Sequence, residues 1–131
     1  MTVIATGQDR RIRELGAGGS LVAGVIYALI GLGVLSVGTT TSGASTDLFA
    51  FGAIMAAGSV AIVVAMLRST SRDVPIAIAV LEILVIVGYF AVAGVREPPV
   101  ELWGLLVKGL QVVALASAVV LALHARPAVA R

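Results

Sequence analysis

The 131-residue chain has no cysteine, a single histidine and a single tryptophan. Without cysteine there are no disulfides, no thiolate metal sites and no thiol nucleophile. One imidazole, His124, leaves a zinc or haem site short of ligands within one copy, so neither a metal nor another cofactor is expected. Charge is scarce as well. Charged residues make up 12% of the chain and hydrophobic ones 60%, whereas a soluble domain usually carries about 25% charged residues. A soluble core of this size has no room for so much apolar surface, and lipid is the natural solvent for most of it. The length suits one domain.

Also missing is any polar stretch large enough to build a soluble site. There is no Ser-His-Asp set, no cluster of metal ligands and no nucleotide-binding loop. Gly31 and Gly33 fit no phosphate-loop pattern and lie inside an apolar run. The net charge of +2 comes from arginines that flank the apolar runs. Such arginines are topology signals, and no nucleic-acid partner is expected. The usage is rich in Ala, Val, Leu, Gly and Arg with only one lysine, as in GC-rich bacterial genomes.

What is present is four apolar runs, each close to the roughly 20 residues a helix needs to cross a bilayer. They predict spans at 16–38, 48–67, 74–95 and 100–124 within one transmembrane domain, residues 16–124. Residues 1–15 and 125–131 are expected to be cytoplasmic tails. Arg10, Arg11 and Arg13 before the first run resemble the start of a signal peptide. The run is long enough to span, however, and another apolar segment follows it, so a retained helix is expected.

The breaks carry capping chemistry. Thr39–Asp47 reads as a Thr/Ser/Gly loop in which Thr46 or Asp47 caps the second helix. Asp73 can cap the third, with Pro75 in its first turn. Arg96-Glu97-Pro98-Pro99 reads as a tight turn, placing Glu101 in the first turn of the fourth helix. Short connections predict antiparallel sequential neighbours, an all-α up-down four-helix bundle. One side then holds Arg10, Arg11, Arg13, Arg68, Arg72, Arg126 and Arg131, and the other Arg96 with Lys108 at most. That bias predicts both termini in the cytoplasm of a bacterial inner membrane.

Lipid gives helices no hydrophobic reason to associate, so small and polar residues must supply the contact. Gly16, Ser20, Gly24 and Ala28 make a small-residue stripe on the first helix, and Ala53, Ala57, Ala61 and Ala65 make one on the second. Both are expected to pack helices together inside the bundle. The sharper alternative is a surface for another copy or another subunit.

Glu82, Lys108 and Gln111 sit well inside apolar runs. A charge at mid-bilayer costs at least about 2.5–3.5 kcal/mol, so such residues need a partner, water or a neutral protonation state. Counted from the turn at Pro98, Glu82 and Gln111 differ in depth by roughly 4–5 Å, and Glu82 and Lys108 by roughly 9 Å. Glu82 and Tyr89 share one helix face, and Glu101, Lys108 and Gln111 another. These five residues predict a polar seam between the third and fourth helices, to which Tyr27 can add a hydroxyl. Structural glue, a proton or cation site at Glu82, and a face for a partner subunit or lipid headgroup are its three readings. Lys108 can instead snorkel outward. Tyr89 and Trp103 suit an interfacial belt, and His124 suits the last carbonyls of its helix.

Four short spans with one membrane carboxylate resemble the small multidrug resistance transporters in architecture. Those transporters carry their glutamate in the first helix. Here it is Glu82, in the third, and the strong charge bias does not suit their antiparallel pairing. The expected function is non-catalytic: an accessory or assembly subunit of a larger bacterial membrane complex, in contact with lipid and with other subunits or further copies of itself. The alternative is a small proton-coupled transporter or channel acting as a homo-oligomer, with Glu82 as its titrating group.

Overall fold

The computed structural model of the chain describes residues 7–36, 39–40, 47–91, 96–97 and 101–125. Four helices account for most of them: α1 (Gly7–Gly31), α2 (Leu48–Arg68), α3 (Asp73–Ala91) and α4 (Leu102–His124). All four are long and apolar enough to cross a membrane. The shortest, 19 residues, rises about 28 Å, close to the roughly 30 Å of a hydrocarbon core.

The first helix lies earlier in the chain than its apolar run suggests. It begins at Gly7, so residues 7–15 are helix rather than tail. Asp9 stands in the first turn, where a carboxylate suits the helix dipole, and Arg10 pairs with Glu14 one turn on at 2.9 Å. The helix stops at Gly31 rather than running on to Gly38. Gly33 adopts a positive φ of 73°, its N–H donates to the Ile30 carbonyl, and the Val34 N–H reaches back to Leu29. This is the glycine-terminated helix end that a β-carbon would oppose. Residues 1–6, 37–38, 41–46, 92–95, 98–100 and 126–131 lie outside the described residues, and with them Thr46 as a cap, most of the Thr39–Asp47 loop, the end of the expected third span, Pro98 and Pro99 of the expected tight turn, and Arg126 and Arg131.

Asp47 caps α2 by accepting the Ala50 N–H at 3.0 Å. Asp73 is the first residue of α3 rather than the residue before it, and its own N–H donates to the Ser71 hydroxyl. Glu101 occupies the cap position of α4 in extended backbone, one residue ahead of the first turn, without a side-chain capping bond. The segments after α1 and α3 meet. Thr39–Thr40 (β1) and Arg96–Glu97 (β2) form a two-residue antiparallel bridge, Thr39 opposite Glu97 and Thr40 opposite Arg96. No hydrophobic alternation announced it, because two residues are too few for one.

α1 is the central helix. It packs along α2 and α4, α4 packs on α3, and α2 and α3 touch only sparingly. Near the connection between α2 and α3 the core joins all four helices through Ala17, Ile62, Met66, Ile78 and Ala118. Toward the other end Ala23, Ile26, Tyr27, Ile30 and Val107 close a core of α1 and α4 on which Met55 and Ala56 of α2 pack.

The α1 stripe faces inward: Gly16, Ser20 and Gly24 are buried and Ala28 is half-buried. The α2 stripe does not. Ala53, Ala57 and Ala61 are exposed, and only Ala65 joins the core. The packing face of α2 runs instead through Gly52, Ala56, Ser59, Ile62 and Met66. A strict four-residue step drifts about 40° per turn of a 3.6-residue helix, while alternating three- and four-residue steps hold one face. The tightest crossing is Gly52 against α1. A β-carbon there would lie 2.5 Å from Gly31 Cα and 2.6 Å from the Tyr27 carbonyl oxygen.

Candidate functional site

The polar residues of α3 and α4 turn inward. Glu82, Lys108 and Gln111 are 2%, 6% and 5% exposed, inside helices whose outer faces are apolar. Tyr89 and Glu101 are half-buried. The cluster is centred on Lys108, whose Nζ donates to the Gln111 Oε1 one turn along α4 and to the Tyr27 hydroxyl at 3.1 Å. The ammonium also lies 5.1 Å from the centre of the Tyr89 ring and 5.8 Å from that of Tyr27. Both are within reach of a cation–π attraction, which strengthens when the pair is shielded from water.

Each element contributes for a local reason. Tyr27 belongs to the inward face of α1 that includes Ser20, Ala23 and Ile30, which carries its ring across to α4. Tyr89 reaches α4 because residue 104 is glycine, and a β-carbon there would collide with the phenol. Lys108 does not snorkel outward, because Tyr27 and Gln111 supply polar partners inside. Glu82 approaches from α3 within electrostatic reach of Lys108 and Tyr27, and its Oε2 is buried without a hydrogen-bond partner among the described residues. The site is therefore a three-helix cluster rather than a two-helix seam. Glu101 stands seven residues before Lys108, at the start of the same α4 face.

A second polar cluster lies at the end of the bundle where α1 begins and α4 stops. His124 Nδ1 and Asp9 Oδ1 are 2.8 Å apart. Arg13 donates to the Met66 and Ser69 carbonyls, both at 2.8 Å, satisfying the last turn of α2. A cavity of about 20 Å³ lies among Asp9, Arg13, Ser71 and His124, room for about one water. His124 thus meets a carboxylate rather than only helix carbonyls, and Arg13 is a helix clamp as well as a topology charge. Asp9 and Arg13 were legible in principle, since the inward phase of α1, residues 16, 20, 23, 27 and 30, extends backward through 13 and 9. Among the described residues no three His, Cys, Asp or Glu side chains converge to hold a metal ion.

Comparisons with protein-family models, with characterised proteins and with solved structures return no match. Any functional reading therefore rests on the residues alone.

Proposed function

We propose that this chain is a non-catalytic, multi-pass subunit of a bacterial inner-membrane complex, acting through the outward faces of its helices. One observation carries the reading. The small-residue stripe Ala53, Ala57 and Ala61 on α2 faces away from the bundle. Beside it, a β-carbon on Gly58 would meet nothing within 4 Å. Small residues let helix backbones approach closely, and lipid chains gain nothing from them. Contact between α2 and α3 is sparse, so α2 packs mainly on α1.

The topology proposed is up-down with both termini cytoplasmic. Arg13 on the end of α2, Asp9 beside His124, and the β1–β2 bridge between the other two connections all support it. So does the exposure of Arg10, Arg11, Arg68 and Arg72, which the positive-inside rule assigns to the cytoplasmic side. Extraction of the tagged chain in a mild detergent, followed by mass spectrometry, tests the subunit reading. Stoichiometric membrane-protein companions are expected, and recovery of this chain alone would overturn it.

A second reading draws on one observation, the buried Glu82 oxygen without a hydrogen-bond partner. In it the chain is a small proton-coupled transporter acting as a homo-oligomer. Glu82→Gln then abolishes flux in proteoliposomes while leaving the protein folded and inserted.

A further inference from the structure

We propose that the Glu82 carboxyl is a reversible proton-binding site inside the bundle, with Lys108 as a counter-ion that has partners in both protonation states. The inference rests on the proton site of the second reading and deepens it by naming the counter-ion and that ion's own partners, but it does not require transport.

A buried ionised carboxylate is stable only when its oxygens are paired or hydrogen-bonded, and an unfilled oxygen is costly. Glu82 is 2% exposed and its Oε2 accepts no hydrogen bond among the described residues. A proton on that oxygen removes the charge that the environment leaves incompletely met. The neighbouring cation is already provided for. Lys108 Nζ has the Tyr27 hydroxyl, the Gln111 carbonyl oxygen and the faces of two aromatic rings around it. It therefore keeps favourable partners when Glu82 becomes neutral, and it lies close enough to attract the carboxylate when Glu82 ionises. A simple ion pair lacks this second set of partners and leaves a stranded ammonium whenever the acid is protonated.

The groups facing Glu82 make the inventory short. α1 contributes Tyr27, α4 contributes Lys108 with Gln111 bonded to it and Glu101 further along its face, and α3 itself contributes Tyr89. α2 has no titratable side chain between Leu48 and Leu67. The step is a plain protonation. A hydronium ion from the aqueous phase gives its proton to Oε2, the new O–H bond forms there, and a water molecule is left. The step moves one proton and involves no transfer to or from Lys108.

Infrared titration of the full chain in lipid bilayers, from acidic to alkaline medium, tests this. The proposal expects a protonated-carboxyl band that appears reversibly on acidification, moves on glutamate isotope labelling, survives Glu14→Gln, Glu97→Gln and Glu101→Gln together, and is missing in Glu82→Gln. Lys108→Met should raise the ratio of protonated to ionised Glu82 about tenfold at fixed pH, because the carboxylate loses the attraction of the Lys108 cation. If Glu82→Gln fails to fold, the isotope shift in the triple variant makes the assignment, since Glu82 is its one remaining glutamate. A band that does not titrate, that ignores the glutamate label, or that disappears in the triple variant overturns the proposal. A titrating Glu82 without proton flux removes only the transport reading.

Discussion

At the scale of single residues, the sequence exposes polar groups where lipid makes them expensive, and Glu82, Lys108 and Gln111 stand out for that reason. Their burial was legible because few alternatives exist for a charge at that depth. The role of Tyr27 was only half legible. A lone tyrosine in an apolar run reads as a possible hydroxyl donor, but which helix it faces depends on rotation that α1 acquires by packing. Tyr27 and Lys108 are 81 residues apart in sequence, and no local pattern links them. Coupling between Glu82 and Lys108 is expected to be measurable as stability. In a double-mutant cycle of Glu82→Gln and Lys108→Met, followed by reversible unfolding in mixed micelles, the interaction energy should exceed about 0.6 kcal/mol, the average found for polar pairs in membrane helices. Additive effects of the two substitutions would mean that the pair does not interact.

At the scale of elements, helix existence was plain and helix rotation was not. Runs of apolar residues mark spans in lipid, but a helix that is apolar all round gives no moment from which to read its inward face. α2 shows this best: the alanine stripe and the true packing face are neighbours on the same cylinder, and only the Gly52–Gly31 crossing decides between them. Gly52→Val is therefore expected to destabilise the bundle by about 1–3 kcal/mol through overpacking, while Gly58→Ala, which adds its methyl to open space, should change stability by less than about 0.5 kcal/mol. Equal effects in a denaturant titration would contradict the assigned rotation. The ends of α1 differ from its apolar run for a related reason. Hydropathy alone starts the helix at Gly16, whereas Asp9 and Arg13 find partners on other helices and hold the preceding turns in place. Arg13→Ala should loosen the α2 terminus and lower stability by roughly 1–2 kcal/mol. Hydrogen exchange should rise first at residues 66–70.

At the scale of the molecule, charge bias and connection length are the basis of the proposed up-down bundle, and the contacts among Asp9, Arg13, Ser69 and His124 bring the start of α1 to the ends of α2 and α4. The absence of cysteine makes the orientation simple to measure. A membrane-impermeant maleimide should label Glu97→Cys in intact cells and Thr70→Cys only after permeabilisation. The reverse pattern would invert the topology. The bundle presents two kinds of surface: an interior that gathers Tyr27, Tyr89 and Gln111 around Lys108, and an exterior of apolar helix faces with a small-residue stripe on α2. With this polarity turned inward, the exterior is the surface through which the proposed subunit would act. The most direct test places a photo-activatable crosslinking residue at Ala57, in the middle of that stripe, in the native membrane. A discrete protein adduct, absent when the same probe is placed at the exposed Leu84 of α3, is the predicted result. Lipid adducts alone at Ala57 would contradict the account.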